Sequence, residues 1–295
     1  MENHHPKSDA LSASLDVFRS KISNFLSQIL LKPEPGPEFT SLTLFNKCFE
    51  LIHITNKAFA KLVVEIDYPM TRWGGKATDD YLNYTLNLLD LLNSITSSIS
   101  HLNQAKISIF HALALIKNSS PSAAKHLKKI IPRKNLSKEL KFEGGTGIEE
   151  KRYSSEKECV IIEAVMVLKK IGFMALGIVL SGLCGDAKPY LEIRKYAGGF
   201  DDSLIKGLDL RFCKEMAEIQ GGLEEVKEVN CATDRLCEAI SGGRYMEAVR
   251  ELKRRLEVLE NSMQGIEKET NSLFSEVLGT RNKLLDNLRV TGQNH

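Results

Sequence analysis

From Tyr245 to Val277 the apolar residues of this chain keep alternating steps of three and four. Val249, Leu252, Leu256, Leu259, Met263 and Ile266 follow one another in that rhythm, and Thr270 fills one position of the seam. Such spacing keeps one face of an α-helix apolar and cannot form the alternating face of a strand. The same rhythm recurs upstream. Leu11, Leu15, Phe18, Ile22, Phe25 and Ile29 trace a helix that stops at Lys32-Pro33-Glu34-Pro35-Gly36-Pro37, where prolines remove donors and force extended backbone. Leu42, Phe45, Phe49, Ile52, Phe59, Val63 and Ile66 trace a second helix, with Asn56 the one polar residue in its seam. It ends near Asp67-Tyr68-Pro69, and Trp73-Gly74-Gly75 reads as a turn. Thr78 or Asp79 is placed to cap a third helix carrying Leu88, Leu92, Ile95, Ile99, Leu102, Ile109, Leu113 and Ile116. A short connection between two long helices predicts antiparallel packing.

Two later stretches break the pattern differently. Residues 118–158 hold Ser119-Ser120-Pro121, Gly144-Gly145-Thr146-Gly147 and an excess of lysine and arginine. They read as a mobile basic linker with one short helix over Ala123–Ile131. Ile171 through Cys184 carries no charge, a length that suits a buried core helix better than a membrane span. Gly172, Gly177 and Gly182 would let other helices approach it closely. Leu204, Leu208, Phe212, Met216, Ile219, Leu223, Val226, Leu236 and Ile240 read as one helix, broken from the last by Gly242-Gly243. The predicted fold is therefore all-α: a bundle of long antiparallel helices with a coiled-coil-like C-terminal hairpin. Four parts are expected. Residues 1–37 form an N-terminal helix and Pro-rich linker, 38–117 an antiparallel hairpin, and 118–158 the basic linker. Residues 159–290 form the apolar helix and C-terminal hairpin, packing with 38–117 as one bundle.

The function classes that follow are few. A formal charge of +2 with 7% aromatic residues gives no platform for nucleic acid. Cys48, Cys159, Cys184, Cys213, Cys231 and Cys237 lack paired metal spacing and read as buried thiols of a reducing compartment. His53, His101, His111 and His126 show no two-ligand helical spacing. The glycines at 144–147 follow no strand and lack the Lys-Ser/Thr ending of a phosphate loop. Glu224, Glu225, Glu228, Glu247 and Glu251 alternate with Lys and Arg as solvated helix faces do. No catalytic residue, cofactor or metal ligand is assigned, and the chain reads as non-enzymatic. The start Met1-Glu2-Asn3-His4-His5-Pro6 has no basic-then-apolar leader, so an intracellular protein is expected, cytoplasmic or at a membrane surface. Lys125, Lys128, Lys129, Arg133, Lys134, Lys138 and Lys141 form the one candidate surface for anionic lipid or a protein partner.

One region carries more than periodicity. Glu65-Ile66-Asp67-Tyr68-Pro69-Met70-Thr71-Arg72-Trp73 is followed by Asp80-Tyr81-Leu82, Leu88-Leu89-Asp90 and Leu102-Asn103-Gln104. The series resembles the plant BYPASS-related family, with Pro69, Trp73, Tyr81, Asp90, Leu102, Asn103 and Gln104 as the matching structural motif. The chain departs from that pattern at Gly74-Gly75, where acidic residues are expected after the tryptophan. The resemblance implies a developmental role, restraining a root-derived mobile signal that arrests shoot and leaf growth. It also implies an association of some members with exocytosis, membranes or plastids, and it supplies no catalytic residues.

Overall fold

A computed structural model describes residues 6–30, 42–118, 125–133, 140, 142, 155–200, 202–218, 222–243 and 245–292. Every regular element among them is helical: α1 (Pro6–Leu30), α2 (Leu42–Glu65), α3 (Gly75–Asn118), α4 (Glu156–Cys184), α5 (Lys188–Tyr196), α6 (Lys206–Glu218), α7 (Glu224–Ser241) and α8 (Met246–Gly292). A single 3-10 turn, Met70–Arg72, lies between α2 and α3.

α4 is apolar all round and sits at the centre, against α1, α2, α3 and α5. Every residue from Ile171 to Cys184 is buried, so the uncharged run is core. The three glycines explain how one helix accepts so many neighbours. They are spaced by five residues, which turns each about 140° from the last at 3.6 residues per turn. Each therefore meets a different helix. A Cβ on Gly172 would lie 3.0 Å from Tyr84 and Leu88 of α3, and one on Gly177 3.0 Å from Tyr190 of α5. A Cβ on Gly182 would lie 2.2 Å from the ring of Phe45 on α2, which is itself fully buried. Gly182→Ala is thus expected to cost about 1–3 kcal/mol through overpacking, more than alanine's better helix propensity returns. Gly265→Ala in α8, where a Cβ meets nothing within 4 Å, should instead stabilise by about 0.5–1 kcal/mol. Urea midpoints at constant m-value measure both.

Side-chain pairs give the helix directions. Tyr84 faces Gly172 and Ser98 faces Cys184, so α3 and α4 run parallel, whereas Phe45–Gly182 and Lys157–Asp67 set α2 antiparallel to α4. Lys106–Glu260 and Thr85–Arg281 make α8 antiparallel to α3. α8, about 70 Å long, carries α7 on its first half, meets α3 from Glu260 to Arg281 and meets α2 at Glu269 and Glu276.

Four sequence expectations change. The helix read through Leu204–Ile240 is two, α6 and α7, with Gly222 between them. Gly222 adopts φ 80°, and a Cβ there would lie 3.3 Å from the Cα of Gly185, so the break is also a packing contact. The partner of the α8 seam is in consequence α7, through Val226, Val229, Ala232 and Leu236, and not the helix bearing Phe212. Phe212 packs at 4.4 Å against Tyr190 of α5 instead; the side chains of Met216 and Ile219 lie outside the described residues. α3 begins at Gly75, with Gly74 O accepting from Thr78 N, so Thr78 and Asp79 fall inside its first turns. Finally, residues 125–131 show a 3-10 turn at 125–126 and no α-helix. Ile130 is 1% exposed there, and its backbone N–H and C=O both bond the Asn230 side chain of α7, at 2.7 and 2.9 Å.

Candidate functional site

The end of α2 sets up a concavity beside the connection to α3. Asp67 takes a left-handed φ of 47°, while Asp67 N and Tyr68 N bond back to the carbonyls of Val64 and Val63. That closes the helix in the manner usually given to glycine. Tyr68 O is thereby placed to accept from Trp73 Nε1 at 3.1 Å, which fixes the connection carrying Pro69 and Met70. Behind it three rings interlock. Trp73 meets Phe59 at 6.0 Å and Tyr81 at 5.6 Å, both edge-on, while Phe59 and Tyr81 stack at 5.9 Å.

A cleft of about 390 Å³ opens in front of these rings, between α2, α3 and α8. Phe59, Tyr81 and Tyr84 form its floor, and Val63, Pro69, Met70 and Val277 its apolar walls. Polar groups ring the mouth, Asn56, Lys57, Glu276 and Thr280, and Thr85 lines the cleft from a buried position. Glu276 is held from α2 by two bonds, His53 Nδ1 at 2.9 Å to Oε2 and Asn56 Nδ2 at 2.9 Å to Oε1. The hydrogen bond from His53 holds the Glu276 carboxyl below its usual range, and the same bond raises the His53 pKa despite its partial burial. Burial first, and the Glu276 charge second, push the Tyr81 phenol up to about 12, so it stays neutral. Arg281 ties α8 to α3 by bonding Leu82 O and Thr85 Oγ1. A second, more polar depression continues past His53 and Lys57 along α2 and α8, lined also by Glu50, Lys268 and Glu269.

The motif residues read from the sequence are divided by this geometry. Pro69, Trp73 and Tyr81 assemble at the cleft. Asp90 is exposed farther along α3, and Leu102 (buried), Asn103 (half-buried) and Gln104 (exposed) lie farther still. Gly74 fits where it does because the Glu158 carboxylate occupies the space a Cβ would need, with an oxygen 2.2 Å from that position. Of the basic cluster, Lys125 and Lys128 are exposed, Lys129 pairs with Asp234 at 2.8 Å, and Arg133 bonds Ser97 Oγ. Lys134, Lys138 and Lys141 lie outside the described residues. Among the described residues no three metal-ligating side chains converge, and no helix is long and apolar enough to cross a membrane. Cys48 and Cys184 are buried, with thiols pushed by burial to about 12 and about 11, whereas Cys231 is exposed.

His53, Lys57 and Glu276 were not singled out as site residues by sequence. Asn56, the lone polar residue in an apolar seam, was the available signal: it turns to Glu276, 220 residues away.

The fold and this cleft define an all-α helical-bundle protein with an aromatic-floored concavity between its helices. Within that class the chain belongs to the BPS1 family, since the family described as "Protein BPS1" matches residues 70–286. A rice protein (Oryza sativa subsp. japonica) named "UPF0496 protein 4" is 22% identical over 92% of the chain and 59% of its own length. "Protein BPS1, chloroplastic" of Arabidopsis thaliana is 21% identical over 99% of the chain and 89% of its own length. The chain thus spans about three fifths of the rice relative. No solved structure matches it.

Proposed function

We propose that this chain is a non-enzymatic regulatory or scaffold protein of plant development that restrains a root-derived mobile signal controlling shoot and root growth. The observation that carries the reading is the family match over residues 70–286, which includes Trp73, Tyr81 and the α8 side of the cleft. The name of the Arabidopsis relative supports the same role and adds a plastid as one address, beside the cytoplasm and membrane surfaces. Reciprocal grafting of wild-type plants and plants lacking this protein tests it. A root lacking the protein should arrest a wild-type shoot, and a wild-type root should restore growth to a shoot lacking it. Growth that follows each shoot's own genotype, whatever the root, would refute a mobile signal.

A second reading, a peripheral membrane factor of trafficking, has one support in Lys125 and Lys128, exposed on a segment anchored through Ile130. Insertion through Ile171–Cys184 has none, because that run is core. Release from membranes by salt alone would favour this electrostatic attachment.

A further inference from the structure

We propose that the cleft between α2, α3 and α8 binds a small amphipathic carboxylate, an apolar body on the aromatic floor with its anionic group at Lys57. This goes beyond the developmental reading and does not depend on it. The volume, about 390 Å³, falls within the range of small-molecule pockets. The floor is built rather than accidental. Phe59 and Tyr81 are 4% and 7% exposed and are held by Trp73, so they present a fixed apolar surface. Val63, Met70 and Val277 extend that surface, and a ligand that covers it removes apolar area from water.

Charge decides the polar end. Two charged residues border the cleft, Glu276 and Lys57. Both oxygens of Glu276 already accept hydrogen bonds within the protein, from His53 and Asn56, so it offers little to a ligand cation. Lys57 is exposed and forms no hydrogen bond or ion pair among the described residues, leaving its three donors for an anion. The neutral Tyr81 phenol adds no negative charge to repel one. A carboxylate joined to an apolar ring or chain matches both halves of the site.

The chain contains its own reporter. Trp73 is the single tryptophan, and its ring packs edge-on against two of the floor rings, Phe59 and Tyr81. Phenylbutyrate, phenylbutanol and phenylbutylamine share one body and differ in charge at the end. Titrated into the full chain, phenylbutyrate should change Trp73 emission saturably and bind about fivefold tighter than the alcohol, as one solvent-accessible ion pair allows. The amine should bind no tighter than the alcohol. Lys57→Met, at an exposed position, should erase the acid-over-alcohol preference. Ala60→Phe, at the exposed mouth, should abolish binding of all three with an unchanged circular dichroism spectrum. Calorimetry under the same conditions checks that a silent tryptophan is not mistaken for absent binding. The proposal is overturned if neither method detects phenylbutyrate up to its solubility, or if the amine binds tightest. It is equally overturned if the acid-over-alcohol preference survives Lys57→Met or binding survives Ala60→Phe, since the site would then lie elsewhere.

Discussion

Leu256→Ala should lower the unfolding free energy by about 2–5 kcal/mol, the range for emptying a leucine position in a well-packed core. Leu256 is fully buried in the seam of α8, with Leu252, Leu259 and Met263 at 0–1% exposure around it. The seam closes on α7 within the same chain: Arg255 bonds Glu228 at 2.6 Å, and Ser262 donates to Glu225 Oε1 at 3.1 Å. The α7–α8 hairpin therefore predicts a melting temperature independent of protein concentration, whereas a rod dimerising through the same stripe would melt higher as concentration rises. Arg254→Ala is the control. Its side chain is 57% exposed and bonds only Glu251, one helical turn away, so the change should stay within about 0.5 kcal/mol. A Leu256→Ala protein that melts like the parent would rule out the packing described for this seam.

The second large effect lies at the junction of α5 and α6. Asp209 has a side chain 2% exposed and accepts from Tyr190 Oη at 2.7 Å and from Arg194 Nε at 3.0 and 3.1 Å. Asp209→Ala would leave the Tyr190 hydroxyl without its acceptor in a residue only 1% exposed. Arg194, at 35% exposure, can recover water. Losing a buried acceptor from a charged pair under those conditions should cost about 3 kcal/mol. Tyr190→Phe in the Asp209→Ala background should restore part of that loss, because it removes the stranded hydroxyl; urea unfolding of the four members of the cycle measures the coupling. Strict additivity of the two changes would show that the hydrogen bond contributes nothing to stability.

The two halves of the cleft were unequally legible. Pro69, Trp73 and Tyr81 stand close together in sequence, and the resemblance to a family motif marked them before any fold was known. Glu276 arrives from a helix that starts more than 160 residues later than Trp73, and nothing in the sequence singled it out. Nothing local distinguishes a glutamate that meets His53 from one that meets water. The basic segment shows the same limit from the other side. Its charges suggested a mobile linker, yet Ile130 is buried and paired to Asn230 of a helix one hundred residues away. Composition reports what a segment prefers alone and carries no sign of a long-range pairing such as that of Ile130.

The sequence by itself determined that this chain is helical, roughly where most helices lie, and that Ile171–Cys184 needs other helices around it. Those features follow from local physics: a periodicity close to 3.6, prolines and glycines that stop helices, and an apolar surface that must be covered. The tertiary structure alone decided which helix covers which. α8 is apolar on one stripe that two different partners could fill, and the stripe does not name them. The break at Gly222, pressed against Gly185, turns α6 toward α5 and hands the first half of the stripe to α7. α2 and α3 cross the rest of it, and that crossing at Glu276–Thr280, which no local pattern encodes, makes the cleft.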